Sequence, residues 1–221
     1  MSQPDPQAND TTPHYGRYVG LLGLVIVILI TLNTILTKPN GAVGITPGNH
    51  VPPFAVPLAQ SKLEGDADVA TRAHEGQAGN ISACQERGPE ILNICQLYEN
   101  SPVVLALFVD DGACPAVLSD MQALTRSFPQ VRFAAVSIKG SRKDLRSLIK
   151  KYSLGFPLGI DKDGALAELY KVSSCPQLTF AYPGGVVQSK ALLIDPPLST
   201  LRARVAELLT ATRARNQTTT G

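Results

Sequence analysis

The chain has no tryptophan, and phenylalanine with tyrosine makes up only 5% of its 221 residues. Val, Leu, Ile and Ala must therefore build the core. Histidine is scarce as well. His14, His50 and His74 lie outside the apolar patterns and show no ligand spacing to one another, which argues against a metal site such as zinc. Neither sign of charge is in excess: the formal net charge is +2, so nothing global points to nucleic acid. Cysteine occurs four times, at 84, 95, 114 and 175. An even count is compatible with two disulfides, but three pairings satisfy it and the count does not choose among them.

What is present begins with a polar stretch. Residues 1–17 carry Pro4, Pro6 and Pro13 and no apolar period, and are expected as a disordered tail. Residues 18–37 then hold no charge and include the run LLGLVIVILI. Twenty such residues suffice to cross a bilayer as a helix, so a single N-terminal transmembrane anchor is expected. A buried core helix fits poorly, because the run is apolar on every face and leads into a Pro/Gly-rich stretch. A cleaved signal peptide is the stronger competitor. Its apolar region is normally shorter, and Asn33, Thr34 and Thr37 leave no clean small-x-small site. Gly16 and Gly20 have a helix-pairing spacing but sit at the membrane edge. Arg17 and Lys38 flank the run equally, so the positive-inside count does not orient it. The short leading tail and the cysteines place the globular part outside the cytoplasm as an expectation, at a cell membrane.

A linker is expected over 38–50, a globular domain over 51–214 and a disordered end over 215–221. Residues 59–88 read as loop, with Asn80-Ile81-Ser82 matching a common glycosylation triplet. Pro89 to Tyr98 reads as a short helix that starts at its proline and aligns Ile91, Ile94, Cys95 and Tyr98. A Cys84–Cys95 disulfide would stabilise the fold by on the order of 3 kcal/mol. An ordinary buried thiol at Cys95 is the alternative.

The central stretch is VVLALFVDDGACPAVLSDMQAL, residues 103–124. A β-rich run stops at a polar turn, a cysteine follows, and a helix over 115–128 turns Val117, Leu118, Met121, Leu124 and Phe128 inward. Beyond it come a strand over 131–138, a helix after the capping pair Ser141 and Asp144 ended by Gly155, a strand over 156–161 and a helix over 164–170. Lys139, Arg142, Lys143, Arg146, Lys150 and Lys151 give the capped helix a basic face. Such a face suits lipid headgroups or an acidic partner, or is simply solvated. Residues 177–182, the turn Pro183-Gly184-Gly185 and a strand from Val186 read as a hairpin. A last helix starts at Ser199 or Thr200 and buries Leu201, Val205, Leu208 and Leu209.

Two ordered motifs carry a family resemblance. The first is Cys114-Pro115-Ala116-Val117 running on to Leu124. The second runs from Phe156-Pro157 through Asp161-Lys162-Asp163-Gly164 and Tyr170-Lys171-Val172 to Pro176, Phe180 and Gly184-Gly185. Together with the Pro-x-Phe opening at 52–54, they resemble the thioredoxin-like superfamily. The nearest type is the membrane-anchored thiol–disulfide reductases of the TlpA/redoxin group, related to AhpC/TSA proteins. The resemblance covers about residues 51–210. It implies an α/β fold with a central mixed β-sheet flanked by helices. It also implies that Cys114 is the nucleophile, that Pro176 is a cis-proline facing it, and that protein thiols or disulfides are the substrates, with no cofactor. Asp110 or Asp111 would be a candidate proton relay, as an acidic group is in thioredoxins. A thiol at a helix N-terminus agrees with this chemistry, since unpaired N–H groups favour the thiolate.

The chain also departs from the family. Val117 replaces the second motif cysteine, so a mixed disulfide at Cys114 lacks its usual resolving thiol. Cys175 stands before the cis-proline, a position that in this fold lies against the active thiol, and is the candidate resolving partner. A peroxiredoxin-like peroxidase is the first alternative, but Leu107 and Asp111 occupy the Pro and Thr positions of its Pro-x-x-x-Thr-x-x-Cys motif. A non-catalytic binding module around Cys114 and Pro176 is the second. A copper-chaperone variant would need two motif cysteines and a distant histidine.

Overall fold

A computed structural model describes residues 15–36, 43–63, 82–193 and 196–219. The chain divides into two compact units, Met1–Gly41 and Ala42–Gly221. The first contains helix α1, Tyr15–Leu36. Leu21, Leu22, Leu24 and Val27 on it are exposed. Among the described residues no helix is long and apolar enough to cross a membrane.

The second unit is built on strand β3, Val103–Phe108, whose six residues are all buried. Such a run suits a strand covered on both faces. Parallel β4 (Arg132–Ile138) and β5 (Leu158–Asp161) extend the sheet on one side, and antiparallel β6 (Gln177–Ala181) and β7 (Leu192–Leu193) on the other. The alternation of side chains divides β3 between two cores. Val104, Ala106 and Phe108 join Leu118, Met121 and Leu124 of α3 (Val117–Ser127) and Leu201, Val205 and Leu208 of α6 (Leu198–Thr219). Val103, Leu105 and Leu107 meet Phe54, Leu92, Ile94 and Tyr170, the last at the end of the short helix α5 (Ala165–Leu169), on the opposite face. The sheet is therefore mixed and flanked on both faces, as expected.

Several elements differ from the sequence reading. Pro89–Tyr98 is not one helix. Ile91–Asn93 forms strand β2, which pairs with β1 (Ala55–Pro57), and α2 covers only Ile94–Tyr98. Asn93 makes the break. Its Oδ1 accepts the N–H groups of Cys95 (2.8 Å) and Gln96 (3.2 Å), and its Nδ2 donates to the carbonyls of Ala83 (2.7 Å) and Glu86 (2.9 Å). A buried amide that meets four partners both caps a helix and ties down a loop. Asn93→Ala is expected to cost about 2–3 kcal/mol, read as a lowered urea midpoint, because a cap is lost and buried carbonyls are stranded.

Residues 43–50, expected as linker, are bound into the unit. Gly44 N–H donates to Lys171 O (3.1 Å), and Gly48 N–H to Val187 O (2.9 Å). This explains why no long strand starts at Val186. After the turn Val187 bridges Ala181, while Val186 bridges His50 on its other side. Helix α4 spans Arg142–Tyr152 and is capped by Ser141, whose hydroxyl accepts the Asp144 N–H at 3.1 Å. Ser153, not Gly155, takes the left-handed position that ends it (φ 50°). Two cations of its basic face are inward staples. Arg142 donates to Ser61 O (2.7 Å), and Arg146 to Ala59 O (2.9 Å) and Ser61 O (2.9 Å). Helix α6 starts at Leu198 behind Pro197, whose carbonyl accepts the Thr200 (2.9 Å) and Leu201 (3.1 Å) N–H groups, so Ser199 and Thr200 lie inside the first turn. It continues to Thr219, past the expected disordered end at 215. The Arg215 guanidinium lies 4.4 Å over the Tyr182 ring. Residues 1–14 of the tail, Thr37 at the end of the expected anchor, linker residues 38–42, and Asn80 and Ile81 of the triplet lie outside the described residues.

Candidate active site

Strand β3 ends at Phe108 and the chain passes through Asp110–Ala113 into a 3-10 turn, Cys114–Ala116, before α3. Gly112 takes a left-handed conformation (φ 59°) in that turn, a geometry that favours glycine. The antiparallel register of β3 and β6 pairs Leu107 with Gln177. Continued by two residues, it sets Val109 opposite Cys175. The Val109 N–H indeed donates to Cys175 Sγ at 3.1 Å. Cys175 and Cys114 are disulfide-bonded with Cα atoms 5.5 Å apart, within the range for a direct bond. The Cys175–Pro176 peptide is cis.

The expected N–H environment of Cys114 is not there. Pro115 has no N–H, the Ala116 N–H donates to Ala113 O (3.0 Å), and the Val117 N–H turns to Pro115 O. The acidic pair is also directed elsewhere. Asp111 Oδ1 accepts its neighbour's Gly112 N–H (2.7 Å), and Asp110 Oδ2 accepts the Ser141 N–H (3.4 Å). Among the described residues neither carboxylate bonds to either sulfur. Cys84 and Cys95 form a second disulfide (Cα–Cα 5.3 Å) next to the Asn93 cap. Among the described residues no cysteine is free and no cluster suits a metal ion.

One titratable group escaped the sequence reading. Asp161 ends β5 and is only 4% exposed. Burial, foremost, and the neighbouring Asp163 carboxyl push it up to about 7, against the opposing Leu166 N–H. That N–H donates to Asp161 Oδ2 at 2.8 Å. The motif Asp-x-Asp-Gly at a strand end was visible, but its burial was not.

Comparison with known proteins agrees with this architecture. A model described as the AhpC/TSA family matches residues 77–196. A thiol-disulfide oxidoreductase ResA from Oceanobacillus iheyensis is 32% identical over 77 residues, which cover 34% of this chain and 40% of that relative. A Chlorobium tepidum protein assigned as a thiol:disulfide interchange protein DsbE has a TM-score of 0.57 at 15% identity, covering 75% of this chain and 99% of that one. The thioredoxin domain of a Bacteroides vulgatus thiol-disulfide oxidoreductase has a TM-score of 0.51 at 13% identity, covering 73% and 99%. At these identities the structural likeness speaks for the fold, which is thioredoxin-like.

Proposed function

The chain belongs to the AhpC/TSA family, and from that premise we propose that it is a membrane-anchored thiol–disulfide oxidoreductase whose redox centre is the pair Cys114 and Cys175. The observation that carries this reading is the bond between the two cysteines at a strand–helix junction, with Cα atoms 5.5 Å apart. The family resemblance gives the attacking role to Cys114, and Cys175 is the candidate stand-in for the second motif cysteine that Val117 replaces. The partial match to ResA, a thiol-disulfide oxidoreductase, supports thiol–disulfide exchange. A pair that opens and closes beside a turn needs no cofactor: electrons enter and leave as thiols and disulfides.

The anchor is residues 18–37. Its support is the uncharged run and the exposure of Leu21, Leu22, Leu24 and Val27. Two disulfides fit an oxidising compartment, so the globular part is assigned to the extracytoplasmic side.

The full-length chain in detergent, reduced and then mixed separately with oxidised insulin and with hydrogen peroxide, tests the reading. Faster re-oxidation by the disulfide than by the peroxide is expected. The opposite order would make it a peroxidase, and no reaction with either would leave a binding module.

A further inference from the structure

Two sulfurs share the site, and the substrate's mixed disulfide forms on one of them. The resemblance gives that place to Cys114. The geometry points to the reverse: we infer that the mixed disulfide forms on Cys175 and that Cys114 is the internal, resolving thiol, an assignment that rests on the exchange function proposed above.

Access comes first. Cys114 is 8% exposed and belongs to the core cluster with Val117, Leu118 and Met121, whereas Cys175 is half-buried at the border of that cluster. A substrate sulfur must approach along the axis of the bond it breaks, so the sulfur nearer the surface is the one it meets. Anion stabilisation comes second. The thiolate is the reacting species, and an N–H aimed at the sulfur favours it. Of the three residues that follow Cys114, one has no N–H and the other two N–H groups are taken by carbonyls. Cys175 Sγ accepts the Val109 N–H at 3.1 Å, in a register held by the β3–β6 ladder. The donor is backbone, so it was invisible in the sequence.

The steps balance. The Cys175 thiolate attacks one sulfur of the substrate disulfide; a Cys175–substrate S–S bond forms, and the other substrate sulfur leaves as a thiolate that takes a proton from water. The Cys114 thiolate then attacks Cys175 Sγ, the Cys114–Cys175 bond forms, and the second substrate sulfur leaves in the same way. The chain loses two electrons and the substrate disulfide gains them. In the opposite direction a substrate thiolate attacks Cys175 Sγ and Cys114 leaves.

The test uses full-length Cys114→Ser and Cys175→Ser chains in detergent, with Cys84–Cys95 left oxidised. Iodoacetamide alkylation of the remaining thiol is followed against pH and located by peptide mass. Cys175 in the Cys114→Ser chain is expected to react about tenfold faster at pH 7 than Cys114 in the Cys175→Ser chain. Oxidised glutathione, the second probe, is expected to leave its adduct on Cys175 faster than on Cys114. A reversed order in either measurement, or equal rates, overturns the assignment. Alkylation needs no substrate disulfide. The expected alkylation order in a chain whose wild type performs no exchange would therefore sink the proposed function while upholding the reactivity of Cys175.

Discussion

Cys114→Ser and Cys175→Ser are each expected to lower multiple-turnover reduction of insulin by a factor on the order of 10³ or more, to the background of the added dithiol. The reason is geometric. Only these two thiols meet at the β3–α3 junction, and Val117 cannot take the place of either. The loss is the same for both variants because closure of the pair is needed in every cycle, whichever sulfur carries the substrate. The control is the double variant Cys84→Ser, Cys95→Ser. That disulfide joins the short turn over 83–85 to α2. Its removal is expected to cost about 3 kcal/mol of stability through the unfolded chain while leaving turnover per folded molecule intact. Turnover that survives Cys175→Ser would show that Cys114 acts as a monothiol with an outside resolving partner. Turnover that disappears with the Cys84 and Cys95 variant, in a chain still folded by circular dichroism, would move the redox centre to the wrong disulfide.

The parts of the fold that were legible depend on composition along one element. The run 103–109 has no polar residue, so it reads as a strand, and Val103–Phe108 forms one, buried on both faces. Ser141 and Asp144 read as a cap because cap and first turn lie within four residues. The illegible parts depend on partners distant in sequence. Nothing local says that Val186 is claimed by His50, or that Arg142 and Arg146 reach across more than 80 residues to the carbonyls of 59–61. Asn93 could have been found: an asparagine just ahead of Ile94 and Cys95 is a cap signal, but the Pro89 signal four positions earlier competed with it and lost to pairing with β1. At the site, the proximity of the two cysteines followed from the family pattern, whereas the amides around them could not. A backbone N–H carries no residue signature, and the register that aims Val109 at Cys175 is a property of the assembled sheet.

Asp161→Asn is expected to remove a pH dependence from stability. In the folded chain Asp161 titrates at about 7, whereas its ordinary value is 3.8. A carboxyl raised in this way is protonated in the folded state after the unfolded chain has already lost its proton. Below pH about 4 both states hold the proton and the group contributes no penalty. Between about 4 and 7 the unfolded state releases its proton and gains on the folded state, so stability falls as pH rises; above about 7 both are ionised and the loss is complete. The span of roughly three units corresponds to at most about 4 kcal/mol. Asparagine keeps an acceptor oxygen for the Leu166 N–H, which Asp161 Oδ2 now receives at 2.8 Å, but cannot ionise in its buried place. The variant is therefore expected to match the wild type near pH 4 and to exceed it at pH 8, in urea midpoints followed by the near-ultraviolet dichroism of the tyrosines. Parallel midpoint curves for the two chains from pH 4 to 8 would mean that Asp161 is ionised throughout, and that solvent or a counter-charge reaches the end of β5.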